Sequence, residues 1–364
     1  MKSIAFYLQE PFKINQKFMY NQTIMLDQYR PIVIGPFPDS ENVLYPFEHY
    51  YNINDIQDFG AFFQEQNVAA IHAHQGKFAL DILPIAVEHN IPVIVHFRGR
   101  DSSTQTYKRF RENVLRYQDL VKQGAGFLAV CDFLADELKK LGFPKKKIHV
   151  LYGGLDLSMY PYFERSLPTA GEIRILSVAR LVEKKGFLTL LKAFQRIQPQ
   201  YPRATLHIIG TGKDEEKIRL FIEENQLTDC VFLRGPMESE QISKELREAH
   251  LFCLASETGV DGDVEGIPNA LKEAMASGLP VISTIHGGIP ELIEHRKTGY
   301  LVPEKNDLKL AQGLKYFLDH PRLWKRYTRN ARQVIDEKFD VLKQIQVQQQ
   351  LYDIILEKND EREP

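Results

Sequence analysis

Cysteine is scarce in this chain. There are three, Cys131, Cys230 and Cys253, far apart and without a CxxC spacing. They argue for a reducing compartment and against a structural metal site. Net charge is nearly absent too, at −2 with histidine neutral, so no global field favours nucleic acid. No stretch approaches the ~20 apolar residues that a membrane span needs. No repeat at a period of roughly 20–50 residues and no low-complexity tract is visible. The short apolar run after Met1-Lys2 reads as a first strand rather than a signal peptide, so the expected location is cytoplasmic. What remains is ordinary for a soluble globular protein, with 43% hydrophobic and 26% charged residues. At 364 residues the chain exceeds one typical core and fits two domains.

Strand-like runs alternate with helical runs throughout. In the first half the strands read as 4–8, 31–34, 68–72, 92–97, 127–130 and 148–151. Helical runs lie at 56–67, 78–89, 106–123 and 133–141. Continuous apolar strands with helical crossovers mean a parallel sheet covered on both faces. Near 158–172 the pattern lapses into prolines and polar residues. The alternation then restarts, with strands at 173–178, 204–209, 231–233, 251–254 and 280–283. Helices follow at 186–198, 214–225, 239–249, 269–277 and 308–318, and 322–357 reads as helical before a polar, frayed tail at 358–364. The expected class is α/β, with two Rossmann-like, doubly wound parallel-sheet domains facing a cleft. The expected divisions are a first domain at 1–160, a linker at 161–171, a second domain at 172–335, and a closing helix at 336–364 that packs back on the first domain. Such folds bind ligands at the carboxyl ends of their strands.

The densest stretch is 256–291, SETGVDGDVEGIPNALKEAMASGLPVISTIHGGIPE. A loop with Gly262, Gly266 and Pro268 enters a helical run at Asn269, and Glu265 and Glu273 stand eight apart across that entry. Pro268 suits the first turn and Gly278 the stop. A loop ending at a helix N-terminus is a ready anion site. One carboxylate just before it and another two turns inside suit a ligand with both phosphate and hydroxyls. Two solvated glutamates on a surface helix explain the same spacing. A second cluster is ARLVEKKG at 179–186, where Arg180 and Lys185 flank a turn at a strand's end. Two cations there suit a diphosphate, or else form a solvated basic turn, which is how Lys184 reads. Gly210-Thr211-Gly212 follows the strand at 204–209; it lets backbone approach a ligand, or is simply a tight turn.

ARLVEKKG, LHIIGTGKDEEKIR (206–219), VFLRG (231–235) and EGIPNALKEAMASGLPVISTIHGGIPELI (265–293), in this order, resemble the retaining GT-B glycosyltransferases of family 4. The long SETGVDGDVEGIP is similar to the colanic acid and amylovoran type of exopolysaccharide glycosyltransferase. In the first half QKFMYNQ (16–22), IHAHQG (71–76), HFRGRD (96–101), VCDFLADELKKLGFPKKKI (130–148) and GGLDLSMY (153–160) fall where that group's counterparts fall, with a weaker match. The resemblance implies a hexosyl transfer, with retention, from a nucleotide-diphosphate sugar to a saccharide or lipid-linked saccharide acceptor, with a UDP-sugar as the expected donor. It makes the first domain the acceptor side and the second the donor side. Arg180 and Lys185 would hold the donor diphosphate, and Glu273 the ribose hydroxyls. Glu265, with the N–H groups of Gly266 and Ile267, would hold the transferred sugar. The loop 232–235, with Arg234 and Gly235, would border the base, and Gly210 would lie beside the donor.

Three departures from the family pattern matter. The family's F-H-G-x-D histidine is replaced by Arg98, which cannot act as a base. Either Arg98 fills an electrostatic role, or His96, His72 or His74 serves nearby, or turnover is weak and the chain is mainly a nucleotide-sugar-binding protein. His96 also reads as a packed strand-end residue. The usual EGFG loop is EGIP, and Pro268 removes one N–H. The first strand is followed by QEPFKINQKF instead of a Gly-Gly loop, so acceptor contacts are expected from side chains such as Asn21 or Gln22. His74, His96 and Asp101 complete the acceptor-side candidates, whereas Asp132 reads as a helix cap.

No cofactor is expected and no metal, since the DxD spacing Asp261-Gly262-Asp263 sits in a flexible loop. No lysine motif for a pyridoxal cofactor is recognised, which disfavours a phosphorylase. The basic segments 107–116 and 139–147 suit peripheral contact with an anionic membrane at its inner face, or a solvated surface. They show no aromatic platform for nucleic acid.

Overall fold

The computed structural model describes residues 1–12, 16–37 and 44–360; the last four residues of the expected frayed tail lie outside these. The chain forms two compact units. One comprises Met1–Gly154 with Val341–Pro364, the other Leu155–Asp340. The chain leaves the first unit at Gly154 and returns to it at Val341, so Tyr160 and the segment 161–171 belong to the second unit.

The first unit holds a parallel sheet of seven strands: β1 (Ser3–Tyr7), β2 (Arg30–Gly35), β3 (Tyr50–Asn52), β4 (Val68–His74), β5 (Val93–Phe97), β6 (Gly126–Ala129) and β7 (Ile148–Val150), in the order β3-β2-β1-β4-β5-β6-β7. In β1 and β5 every residue is buried, as expected of strands covered on both faces. The register pairs Phe6 with His72 and His74 with His96. The C-terminal helix Val341–Asp360 packs Val341, Ile345, Tyr352 and Ile355 into the same core as Ile4, Phe6 and Ile94.

The second unit holds a parallel sheet of six: β8 (Ile173–Val178), β9 (Ala204–Ile209), β10 (Val231–Leu233), β11 (Leu251–Leu254), β12 (Val281–Thr284) and β13 (Tyr300–Val302), in the order β10-β9-β8-β11-β12-β13. The helix Phe187–Ile197 buries Phe187, Leu190, Leu191, Phe194 and Ile197, a spacing that places all five on one face. They pack with Ile175, Leu206, Leu251 and Trp324 in one cluster. Truncating a side chain such as Phe194 to alanine there costs about 3–5 kcal/mol.

Two expected helices are each broken in two. The run 106–123 forms Tyr107–Arg116 and Gln118–Gln123. Its break is at Tyr117, whose φ of −96° and ψ of 10° leave the helical range and whose ring is 1% exposed. The run 322–357 forms Trp324–Lys338 and Val341–Asp360, parted at Phe339-Asp340 where the chain passes between units. The short strands β3 and β13 were not expected. Among the described residues no helix is long and apolar enough to cross a membrane.

Candidate active site

In the second unit the sequence-predicted donor residues gather at the carboxyl ends of adjacent strands. The loop after β8 carries Arg180 and Lys185, that after β9 Gly210, that after β10 Arg234 and Gly235, and that after β11 Glu265. Hydrogen bonds stitch these loops together: Leu181 N–H donates to Thr211 C=O at 2.9 Å and Gly210 N–H to Gly235 C=O at 2.9 Å. Gly210 has φ +141°, and a Cβ there would stand 1.9 Å from the Ala179 carbonyl oxygen. Its glycine is therefore explained by the loops' close approach alone.

Glu265 is 9% exposed and is the centre of a buried charge cluster. Its Oε1 lies 3.1 Å from Lys184 Nζ and 3.0 Å from Lys185 Nζ. Lys184 also reaches Asp263 Oδ1 at 3.1 Å and donates to the Val264 carbonyl at 3.2 Å. The expectation of a solvated Lys184 is thus corrected: at 8% exposure it is a buried partner of both carboxylates. Burial alone would raise the Glu265 pKa; the ammonium groups of Lys185 and Lys184 overcome it and hold the carboxyl at about 2. Burial lowers the Lys185 pKa despite its pairing with Glu265. The DxD carboxylates are engaged within their loop, Asp263 by Lys184 and Asp261 Oδ1 by the Asp263 N–H at 3.0 Å.

A relay holds the Glu265 backbone. The Glu265 N–H donates to His286 Nε2 at 3.0 Å, which makes that nitrogen the unprotonated one. The opposite Nδ1–H meets Glu304 Oε1 at 2.7 Å, and Glu304 Oε2 accepts the Thr258 N–H at 2.7 Å. Burial opposes ionisation of Glu304, but the hydrogen bonds from His286 and Thr258 keep it below the usual carboxylate range. Between them Gly287, at φ +52°, lets the turn close: a Cβ there would stand 2.2 Å from the Glu265 carbonyl oxygen. Gly288 N–H also donates to Gly266 C=O at 3.0 Å. Neither His286 nor Glu304 stood out in the sequence; a histidine immediately before the Gly287-Gly288 pair was the only signal.

Glu273 sits in the helix Asn269–Ala276, after Pro268 at its N-cap. Burial raises its pKa to about 7, partly offset by Lys272 and by a hydrogen bond from the Tyr160 hydroxyl. Tyr160, 4% exposed, was read as part of an irregular boundary. The Tyr160 carbonyl is in turn held by Arg332 Nη1 at 3.0 Å, a guanidinium that also caps the Ala276 carbonyl at 2.9 Å.

Arg180 is exposed and forms no ion pair among the described residues, yet its charge helps lower the Lys185 pKa. Gly266 is buried and Ile267 half-buried beside Glu265. Phe232 is exposed with its ring centroid 5.0 Å from that of His207, and Arg234 pairs with Glu245 at 3.4 Å. A surface cavity of about 300 Å³ touches Phe232 and Arg234, but its lining of Arg219, Ile222 and Val231 runs along the open edge of β10, away from the charge cluster.

In the first unit Arg98 lies beside three of the other candidates. Its Nη2 is 3.1 Å from His96 Nδ1 and 3.2 Å from His74 Nδ1, and it donates to Gln22 Oε1 at 3.4 Å. The Phe18 ring lies 5.4 Å from its guanidinium carbon. His72, His74 and His96 are all 3% exposed or less, and burial, then the charge of Arg98, keeps each well below its ordinary pKa. Gln22 is 1% exposed and its amide donates to the Tyr152 carbonyl at 3.2 Å, so it is part of this internal network. Asn21 is half-buried on the same helix. Asp101 accepts the Gly76 N–H at 3.0 Å; burial raises its pKa against the pull of the N–H groups around it.

Comparison with known proteins places this geometry. The family "Glycosyl transferases group 1" matches residues 161–334, and "Glycosyltransferase Family 4" matches 24–159. A protein of Escherichia coli named for a colanic acid biosynthesis glycosyltransferase, WcaL, is 41% identical over 226 residues, 62% of this chain and 55% of its own. The amylovoran biosynthesis glycosyltransferase AmsK of Erwinia amylovora is 40% identical over 215 residues, 59% of this chain and 52% of its own. The chain thus spans about half the length of these curated relatives. Among solved structures, Anabaena HepE crystallised with UDP and glucose superposes with a TM-score of 0.78 at 18% identity, covering 96% of this chain and 99% of that one. The shared fold is GT-B. With the two family matches running together from residue 24 to residue 334, the chain belongs to the group 1, family 4 glycosyltransferases.

Proposed function

We propose that the chain is a retaining glycosyltransferase that moves a hexosyl group from a UDP-sugar to a saccharide or lipid-linked saccharide acceptor in exopolysaccharide synthesis. The observation that carries this reading is the buried Lys184–Glu265–Lys185 cluster with Arg180 beside it. The two lysines are paired with two carboxylates, Glu265 and Asp263, which leaves Arg180, whose charge acts on Lys185, as a positive excess at the strand ends. That excess suits a diphosphate. Lys185 and Arg180 stabilise the charge that develops as the nucleoside diphosphate departs. Glu265, kept ionised, accepts hydrogen bonds from sugar hydroxyls and faces the positive charge of an oxocarbenium-like state. Glu273, ionised above about pH 7, accepts from the ribose hydroxyls. The reaction is a same-face displacement: the acceptor oxygen bonds to the anomeric carbon as the diphosphate oxygen leaves, and the acceptor proton goes to the departing phosphate. No metal or cofactor is assigned a role.

UDP is the preferred nucleotide on two supports: HepE, of the same fold, crystallises with UDP-glucose, and WcaL and AmsK are named for exopolysaccharide pathways. The acceptor works from the first unit, at the inner face of the membrane when it is lipid-linked. Membrane attraction by the basic segments is reduced because Lys139 and Lys140 are paired with Asp136 and Glu137, each at 2.7 Å. The test is a UDP-release assay across UDP-hexoses with cell-derived saccharide acceptors, followed by NMR of the product's anomeric proton. Release of UDP with an unchanged anomeric configuration supports the reading; an inverted product, or release from no UDP-sugar, overturns it.

A further inference from the structure

The first unit contains an unpaired cation in a nest of donors. The Arg98 side chain meets neutral groups: His74, His96, Gln22 and the Phe18 ring. No carboxylate forms an ion pair with it among the described residues. Asp101, whose charge acts on Arg98, spends its oxygens on the N–H groups of Gly76, Arg98, Gly99 and Asp101 itself. Arg98 Nη1 is buried without a hydrogen-bond partner.

The histidines around it are fixed as donors by their partners. Guanidinium nitrogens can only donate, so Nδ1 of His74 and of His96 must accept. Each of these rings therefore carries its proton on Nε2. Tyr352 accepts from Gln348 Nε2 at 2.7 Å and best donates its own proton to His72 Nδ1 at 2.6 Å, which fixes the same tautomer there. The Leu151 carbonyl lies near the His96 ring, but His96 Nε2 is buried without a hydrogen-bond partner. The Nε2–H groups of His72 and His74 are buried and have no partner. Those two rings are 0% and 3% exposed. Four buried donors, one of them charged, thus stand unmet in one cluster whose ring centroids lie 4.8–5.8 Å apart.

We propose that Arg98, with His72 and His74, forms an oxyanion site in the first unit that takes a carboxylate or phosphate carried by the acceptor. This rests on the glycosyltransferase reading, because it is that reading which makes the first unit the acceptor side. A guanidinium with a buried, unpartnered nitrogen and no directly paired carboxylate is costly, and an oxyanion supplies both the charge and the acceptors that the donors lack. Arg98, being only half-buried, is the edge by which an anion arrives. The substitution of arginine for the family histidine is then a change of substrate, toward an acidic sugar or a phosphate-bearing lipid-linked acceptor. The same three histidines have metal-ligand spacing, with candidate ligand atoms within 4.8 Å of one another. A metal cation is disfavoured here: every Nδ1 lone pair is engaged, each Nε2 carries a proton, and a permanent cation lies 3.1 Å from one ring.

The test uses the full chain carrying Lys185→Ala, so that anion binding in the second unit is weakened. Inorganic pyrophosphate, glucuronate and neutral glucose are titrated separately, with Zn²⁺ as a fourth arm. Histidine ring ¹H–¹⁵N NMR reads the Nε2–H groups directly. The expected result is binding of pyrophosphate or of glucuronate, with shifted His72 and His74 Nε2–H signals, and no response to glucose. Which anion binds tells phosphate from carboxylate. Arg98→Gln should weaken binding at least tenfold, and Arg98→Lys should keep part of it. If Arg98→Gln does not fold, the Arg98→Lys and wild-type titrations still decide. No shift with either anion overturns the proposal, as does Zn²⁺ binding with loss of the Nε2–H signals. Either failure leaves UDP binding, read separately in protein with Lys185 intact, as the independent check on the second unit.

Discussion

Glu265→Gln tests the buried cluster most sharply. The substitution keeps the shape and removes the charge that holds two buried ammonium groups together. Removing one partner of a buried ion pair costs about 3–5 kcal/mol. Lys184 keeps Asp263 at 3.1 Å, so the low end applies, about 3 kcal/mol, borne mostly by Lys185. In a unit of this size 1 kcal/mol moves the melting temperature by ~2–4 °C, so the deficit at neutral pH is about 6–12 °C. The pH dependence gives the cause. The folded Glu265 pKa of about 2 lies below its model-peptide value of 4.5. Its stabilisation is therefore complete above pH 4.5 and is lost as pH falls through 2, so the deficit of the variant should shrink in acid. Differential scanning calorimetry of both proteins from neutral to acid pH reads this. A variant melting within about 2 °C of wild type at neutral pH, or a deficit that does not narrow in acid, refutes the reasoning.

Three other outcomes are expected. Lys185→Ala and Arg180→Ala should each lower kcat by about 10²–10³ in the UDP-release assay, with little change in the far-UV spectrum. Because the Glu273 pKa stands near 7 in the fold, UDP affinity should rise about tenfold between roughly pH 6 and 8, measured calorimetrically, and the rise should vanish in Glu273→Gln. His286→Ala leaves the buried Glu265 N–H without its acceptor; a loss of about 1–3 kcal/mol in urea unfolding is expected, against a fraction of that for Glu304→Gln, which keeps an acceptor for the imidazole.

The elements that could be read in advance are those whose side chains repeat a burial pattern. β8 and β9 were expected at 173–178 and 204–209 and form there, because their apolar runs are bounded by polar turns on both sides. β3 and β13 are three residues long, too short for any alternation to register. The breaks at Tyr117 and Phe339 escaped notice because both residues are apolar and buried and so continue the helical pattern while leaving the helical backbone.

At the site, charge type was legible and partnership was not. Arg180, Lys185, Glu265 and Glu273 stand at strand ends and helix starts, positions that local patterning locates. Lys184 looked solvated because a lysine in a run gives no sign of its burial; its partners come from a loop 79 positions away. His286 and Glu304, and Tyr160 with Glu273, are pairs made by topology, which joins residues that no local spacing connects.

The central claim is that the second unit binds a uridine diphosphate through Lys185 and Glu273. Thermal shift with UDP, GDP, ADP and dTDP on wild type, Lys185→Ala and Glu273→Ala tests it directly. At a ligand concentration 100 times the dissociation constant, the bound fold gains about 2.7 kcal/mol. The account predicts that UDP alone shifts wild type and that the shift is lost in both variants. A shift from another nucleotide in place of UDP, or one that survives both substitutions, would contradict it.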